Sequence, residues 1–64
     1  MVKINGELRE HSGRTVSEML EIEGYSSQRV AVELNERIVP KAEYDTTVLS
    51  DDDVVEVVSF VGGG

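Results

Sequence analysis

Apolar and polar residues alternate at three places along this chain and take a helical spacing at one. Val2 and Ile4 straddle Lys3 just before Asn5-Gly6, a pair that favours a tight hairpin because both turn positions tolerate positive φ. The returning strand, Glu7 to about Glu10, is expected to run antiparallel with Leu8 facing the core. After the polar His11 to Arg14, Thr15-Val16-Ser17-Glu18 reads as a capping box, in which a Thr N-cap and a Glu three residues on satisfy each other's backbone. Val16, Met19 and Leu20 then fall at i, i+3 and i+4 as one apolar stripe. Gly24 suits the left-handed position that ends a helix. A helix of only two turns is marginal alone and needs a sheet to dock on.

Beyond Ser26-Ser27-Gln28, the run Arg29 to Asn35 puts Val30, Val32 and Leu34 on one face and Ala31 and Glu33 on the other, the pattern of a half-buried strand. Asn35-Glu36-Arg37 is expected to turn into a short Ile38-Val39 strand, which Pro40 stops by removing a ladder donor. Lys41 to Tyr44 reads as a turn of helix, Val48-Leu49 as a brief strand, and Ser50 to Asp53 as a tight acidic turn. In the last strand, Val54 to Phe60, Glu56 sets the parity: with Glu56 in water, Val55 and Val57 face the core while Val54, Val58 and Phe60 share the solvent side. The order β-β-α-β-β-β, with a right-handed crossover and the first and last strands paired in the middle, predicts an α+β, ubiquitin-like β-grasp: a small mixed sheet with one helix packed across one face.

At 64 residues the chain makes one domain with a small core and no room for a separate substrate cavity. It has no cysteine, which removes disulfides, thiolate metal sites and thiol nucleophiles and fits a reducing compartment. The N-terminal residues lack a signal peptide's apolar segment, and no run approaches a membrane span, so a cytoplasmic location is expected. The formal charge of −7 opposes nucleic-acid binding and favours a partner with a basic rim. Among the candidate residues for chemistry, Asp51, Asp52 and Asp53 lack the spacing of a calcium loop, and Glu18 is a cap. His11, the only histidine, has no evident partner and is expected on the surface.

The group with chemical promise is the carboxylate of Gly64, at the end of Val58-Ser59-Phe60-Val61-Gly62-Gly63-Gly64. Residues 61–64 would form a flexible glycine-rich tail, an extended string of roughly 13 Å. Gly62 and Gly63, without a Cβ, suit threading into a narrow channel of a partner. A carboxylate is inert at neutral pH until an oxygen becomes a leaving group, and formation of a mixed anhydride with AMP is one route. No cofactor is expected on this chain; ATP and magnesium would belong to the adenylating partner. Val58, Phe60 and Val61 are the expected docking residues beside the tail. A frayed terminus or an appended linker are the plainer readings of the three glycines.

The chain resembles the ThiS family of thiamin-biosynthesis sulfur carriers over nearly its whole length. The likeness is most specific in Arg29-Val30-Ala31-Val32-Glu33-Leu34-Asn35, in Ile38-Val39-Pro40, and from Asp51 through Gly64. It implies that Gly64 is adenylated by an E1-like enzyme and converted to a thiocarboxylate with sulfur from cysteine through a desulfurase. A thiazole synthase would then consume the thiocarboxylate to build the thiazole of thiamin. The family's paired terminal glycines fall on Gly63 and Gly64. One departure stands in the late turn, where the family writes Asp-Gly-Asp and this chain has Asp52 in the middle. Aspartate enters the left-handed region less readily than glycine, which leaves the turn type open. The alternatives are a carrier for molybdopterin synthesis, a ubiquitin-like modifier joined to lysines through Gly64, and a binding module whose tail is irrelevant.

Overall fold

In the computed structural model, residues 1–60 are described. The elements follow as β1 (Val2–Ile4), β2 (Glu7–Arg9), α1 (Val16–Glu23), β3 (Val30–Leu34), β4 (Arg37–Val39) and β5 (Val54–Ser59), with 3₁₀ turns at Ser27–Arg29 and Lys41–Glu43. The sheet order is β2-β1-β5-β3-β4. Strands β1 and β5 run parallel, and the other neighbours are antiparallel. The first and last strands are therefore neighbours inside the sheet, as the pattern predicts.

Two hairpins flank β5, and their turns share one device. Asn5-Gly6 and Asn35-Glu36 hold both central residues at positive φ, 49° and 87° in the first and 52° and 69° in the second, the type I′ geometry whose twist matches paired strands. Each asparagine then reaches sideways to β5. The Asn5 side chain accepts from the Val57 N–H at 2.8 Å and donates to the Val57 carbonyl at 3.2 Å. The Asn35 side chain accepts from the Val54 N–H at 2.9 Å. The central strand is gripped from both flanks by side-chain amides standing in for ladder bonds.

Helix α1 is capped as its sequence predicts. The Thr15 hydroxyl accepts from the Glu18 N–H at 3.1 Å, and the Glu18 carboxylate accepts from the Thr15 N–H at 2.9 Å. At the other end Gly24 takes φ 86°; its N–H donates to the Glu21 carbonyl, and that of Tyr25 to the Leu20 carbonyl, the two bonds of a Schellman ending. The helix buries Val16, Met19 and Leu20 against Val2, Ile4, Val30, Val32, Val55 and Val57 of the sheet.

Three expectations from the sequence are corrected. Leu8 does not face the core: it is 64% exposed. The two-residue turn sets Lys3 opposite Leu8, and directly opposed residues share a face, so Leu8 follows Lys3 to the solvent side. Val48-Leu49 is not a strand of the sheet, since Val48 makes only an isolated bridge to Thr15. Residues 44–49 instead serve the helix, whose first N–H groups have no partner within it. The Val16 N–H donates to the Thr47 carbonyl and that of Ser17 to the Tyr44 carbonyl, both at 2.9 Å, while Leu49 is buried beneath.

His11 is the third correction: it is 2% exposed, not on the surface. Its Nε2 lies 2.6 Å from the Glu23 carboxylate, and its Nδ1 lies 3.4 Å from an Arg14 nitrogen. A guanidinium can only donate, so the tautomer protonated on Nε2 satisfies both ring nitrogens. The pair ties the end of the first hairpin to the last turn of α1, which compensates for burying the imidazole.

Candidate functional site

Strand β5 obeys the parity that Glu56 sets. Val55 and Val57 are buried, whereas Val54, Val58 and Phe60 are exposed, the last two at 56% and 55%. Register fixes what surrounds them: Val58 stands opposite Ala31, Glu56 opposite Glu33, and Ser59 opposite Val30. Ile38 on β4 stands opposite Glu33, and Val54 beside Lys3 on β1. The face away from the helix thus presents Leu8, Val54, Val58, Ile38 and, past the strand's end, Phe60 as apolar groups in water.

The last described residue is held in place. The Phe60 N–H donates to the Arg29 carbonyl at 2.8 Å, extending the β3–β5 ladder by one bond. The Lys41 ammonium lies 5.9 Å from the centre of the Phe60 ring, within cation–π range. The same ammonium donates to the carbonyls of Ser27 at 3.0 Å and Val30 at 3.3 Å. Lys41 therefore joins the 3₁₀ turn before β3, the first residue of β3, the turn after β4 and Phe60, the residue after β5. Sequence reasoning missed it, because a lysine after a proline reads as a solvated turn residue; its partners lie 11 to 19 positions away. Val61, Gly62, Gly63 and Gly64, the remaining residues expected to dock, thread and carry sulfur, lie outside the described residues.

The acidic turn has a structural task. Asp53 accepts from the Ser50 N–H at 2.8 Å and from the Asn35 side chain at 3.0 Å. Asp51 accepts from the Met1 ammonium at 2.6 Å and from the Ser12 hydroxyl. Those bonds hold the Asp51 carboxyl below the ordinary carboxylate range, and the bond to Asp51 raises the Met1 amine above its ordinary value. Asp52 adopts φ 72°, so it carries the left-handed conformation that glycine takes at no cost. That answers the turn type which the sequence leaves open. Among the described residues no group of three or more His, Cys, Asp and Glu is placed to hold a metal. No helix among them is long and apolar enough to cross a membrane.

A five-stranded mixed sheet of this order, with one capped helix on one face and an apolar face leading into the C-terminal residues, is a ubiquitin-like β-grasp domain. The comparisons narrow that class. The ThiS family model matches residues 2–64. Over its entire length the chain is 45% identical to the sulfur carrier protein ThiS of Thermus thermophilus, all of which it covers. The crystal structure of the thiamine biosynthesis protein ThiS from Geobacter metallireducens superposes with a TM-score of 0.77 at 30% identity, covering 98% of this chain and 97% of that one. A protein of Paramagnetospirillum magneticum named thiazole synthase is 47% identical over 62 residues, 95% of this chain but only 19% of that protein. The chain thus spans about a fifth of that relative's length. It belongs to the ThiS family.

Proposed function

We propose that this chain is the sulfur carrier of thiamin biosynthesis and that the carboxylate of Gly64 is the group that carries the sulfur. The observation that carries the reading is the end-to-end match to a protein named as a sulfur carrier, with the glycines included in the family's span. In the first step a carboxylate oxygen of Gly64 attacks the α-phosphorus of ATP on an E1-like enzyme. An acyl adenylate forms and pyrophosphate leaves. Sulfur drawn from cysteine as a desulfurase persulfide and reduced to the sulfide level by a partner's thiol, which ends as a disulfide, then attacks the carbonyl carbon. The C–S bond forms, the bond to the AMP oxygen breaks, and AMP departs to leave a thiocarboxylate.

A thiazole synthase is the proposed consumer. A segment of the Paramagnetospirillum protein of that name matches nearly all of this chain, which supports work beside such an enzyme. In this reading the domain is a co-substrate. It supplies a fixed exit at Phe60, held by the Arg29 carbonyl and Lys41, and its partners supply the catalysis, the ATP and the magnesium. The test is complementation of a thiamin-requiring strain that lacks its own carrier, with the adenylating enzyme and thiazole synthase of this protein's host supplied alongside. The wild-type chain should restore growth without thiamin, and the chain lacking Gly64 should not. Growth supported equally by both would refute the role of the terminal carboxylate.

A further inference from the structure

The chain has two asparagines, Asn5 and Asn35, and each opens a two-residue turn. Both side chains bind β5, so the two hairpins share one clasp. They differ in the next residue: Asn5 precedes Gly6, whereas Asn35 precedes Glu36. Gly6 stands at φ 87°, and a Cβ built on it would meet nothing within 4 Å. Backbone conformation, not crowding, therefore selects glycine there. The choice has a chemical consequence. With no side chain to shield it, the Gly6 backbone nitrogen is open to attack on the side-chain carbonyl carbon of Asn5.

In the folded chain the Asn5 amide is engaged elsewhere. Its Oδ1 accepts from the Val57 N–H at 2.8 Å, and its Nδ2 donates to the Val57 carbonyl at 3.2 Å and to the Tyr25 hydroxyl at 3.3 Å. Closing a succinimide ring onto the Gly6 nitrogen bends the side chain back over its own backbone and breaks these bonds. They also extend the sheet. Strand β1 pairs with β5 only as far as Ile4 opposite Val55, with the Asn5 N–H donating to the Val55 carbonyl at 2.9 Å. On that side Val57 is held by the Asn5 side chain, and past Val57 the described part of β5 pairs only with β3.

We propose that Asn5-Gly6 is a site of spontaneous deamidation, closed while the first hairpin grips β5 and open when it releases. The Gly6 nitrogen attacks Cγ of Asn5. A bond from Cγ to that nitrogen forms, the Cγ–Nδ2 bond breaks, and ammonia leaves with the proton that Gly6 gives up. Water then opens the succinimide. Its attack at Cγ gives aspartate, and its attack at the backbone carbonyl carbon gives isoaspartate, with the chain routed through the side chain. In aspartate a carboxylate oxygen replaces the Nδ2 that donated to the Val57 carbonyl, and two acceptors cannot bond. In isoaspartate the backbone of the turn is lengthened as well. A chain modified while open therefore cannot close the same clasp, and the end of β5 loses its hold on the β1 side. Asn35 is spared because the Glu36 side chain shields the nitrogen that would attack.

The test follows the wild-type chain in mildly alkaline buffer, folded and in urea. Peptide mapping places the replacement of an NH2 group by an OH group, and isoaspartate-specific methyl transfer identifies the branched product. Asn5 should react at least about tenfold faster in urea than in the folded chain, since reaction needs the open hairpin. Asn35 should stay intact over the same period. In urea, Glu36→Gly should bring Asn35 close to the Asn5 rate. Separated from unmodified chain, the deamidated chain should melt roughly 5–15 °C lower. Its hydrogen exchange should speed at the Val57 N–H and stay near the wild-type rate at the Val54 N–H, which Asn35 holds. Asn5 reacting as fast when folded as in urea, Asn35 reacting as readily as Asn5 in the wild type, or a modified chain that melts with the wild type would each overturn the inference. A modified chain that no longer folds is the same loss carried further, and the rates, read on the wild-type sequence, decide independently of it.

Discussion

The two faces of the sheet are built from the same strands by opposite rules. On the covered face β5 contributes Val55 and Val57, β3 contributes Val30 and Val32, and all are buried under the helix. On the open face the residues between them are Val54, Glu56, Val58, Ala31 and Glu33, mostly in water. The covered face is uniform in chemistry and closes the core. The open face mixes apolar groups with a pair of like charges, Glu33 opposite Glu56, which adds nothing to the core. Core packing and solvent exposure in so small a domain are thus assigned to alternate positions of the same strand.

Paired substitutions sharpen that contrast. Leu20→Ala removes the bulk of a fully buried side chain and is expected to cost about 2–5 kcal/mol. A chain of this length has only about 3–10 kcal/mol of stability, so chemical denaturation should find the variant largely or wholly unfolded at moderate denaturant. Phe60→Asp, at the edge of the open face, should cost less than about 1 kcal/mol, mainly through the lost contact with Lys41. Its melting should stay cooperative while adenylation by the partner enzyme falls about tenfold or more. Unfolding by Phe60→Asp would place that ring in the core and erase the distinction between the faces.

A smaller effect tests the turns that hold the strands in register. Asn35-Glu36 repeats the geometry of Asn5-Gly6 with a glutamate at the position where the first turn has glycine, and an ordinary residue in the left-handed region carries a penalty of about 1–2 kcal/mol. Glu36→Gly should therefore stabilise the fold by up to about 1 kcal/mol after the entropy of glycine is counted. Asp52→Gly should gain less, since aspartate tolerates φ 72° better than glutamate tolerates its 69°. Equal or reversed gains in denaturant midpoint would show that side-chain contacts, and not backbone conformation, set these positions.

Local rules made most of the fold legible. The capping box at Thr15 and Glu18, the ending at Gly24, the Asn5-Gly6 turn and the parity of β5 all depend on residues within four positions of one another, and each appears in the structure as expected. Leu8 was legible too: the two-residue turn sets it opposite Lys3, and its hydrophobicity alone was a poorer guide than that register. His11 and residues 44–49 were not legible, because their partners, Glu23 and the first N–H groups of α1, meet them only once the chain has folded. Of the candidate docking residues, Val58 and Phe60 stand exposed beside the exit as their parity requires. Lys41 carried no local sign of its task, since its partners come from the turn before β3, the start of β3 and the residue just past β5.

The central claim concerns one atom exchanged at Gly64. Intact mass spectrometry of the chain, after incubation with the host's adenylating enzyme, ATP, magnesium and a sulfide source, reads it directly. A thiocarboxylate predicts a gain equal to one sulfur replacing one oxygen, confined by fragmentation to Gly64 and absent without ATP. An unchanged mass, in a mixture where the chain consumes ATP and releases pyrophosphate, would contradict the assignment of this carboxylate as the carrier of sulfur.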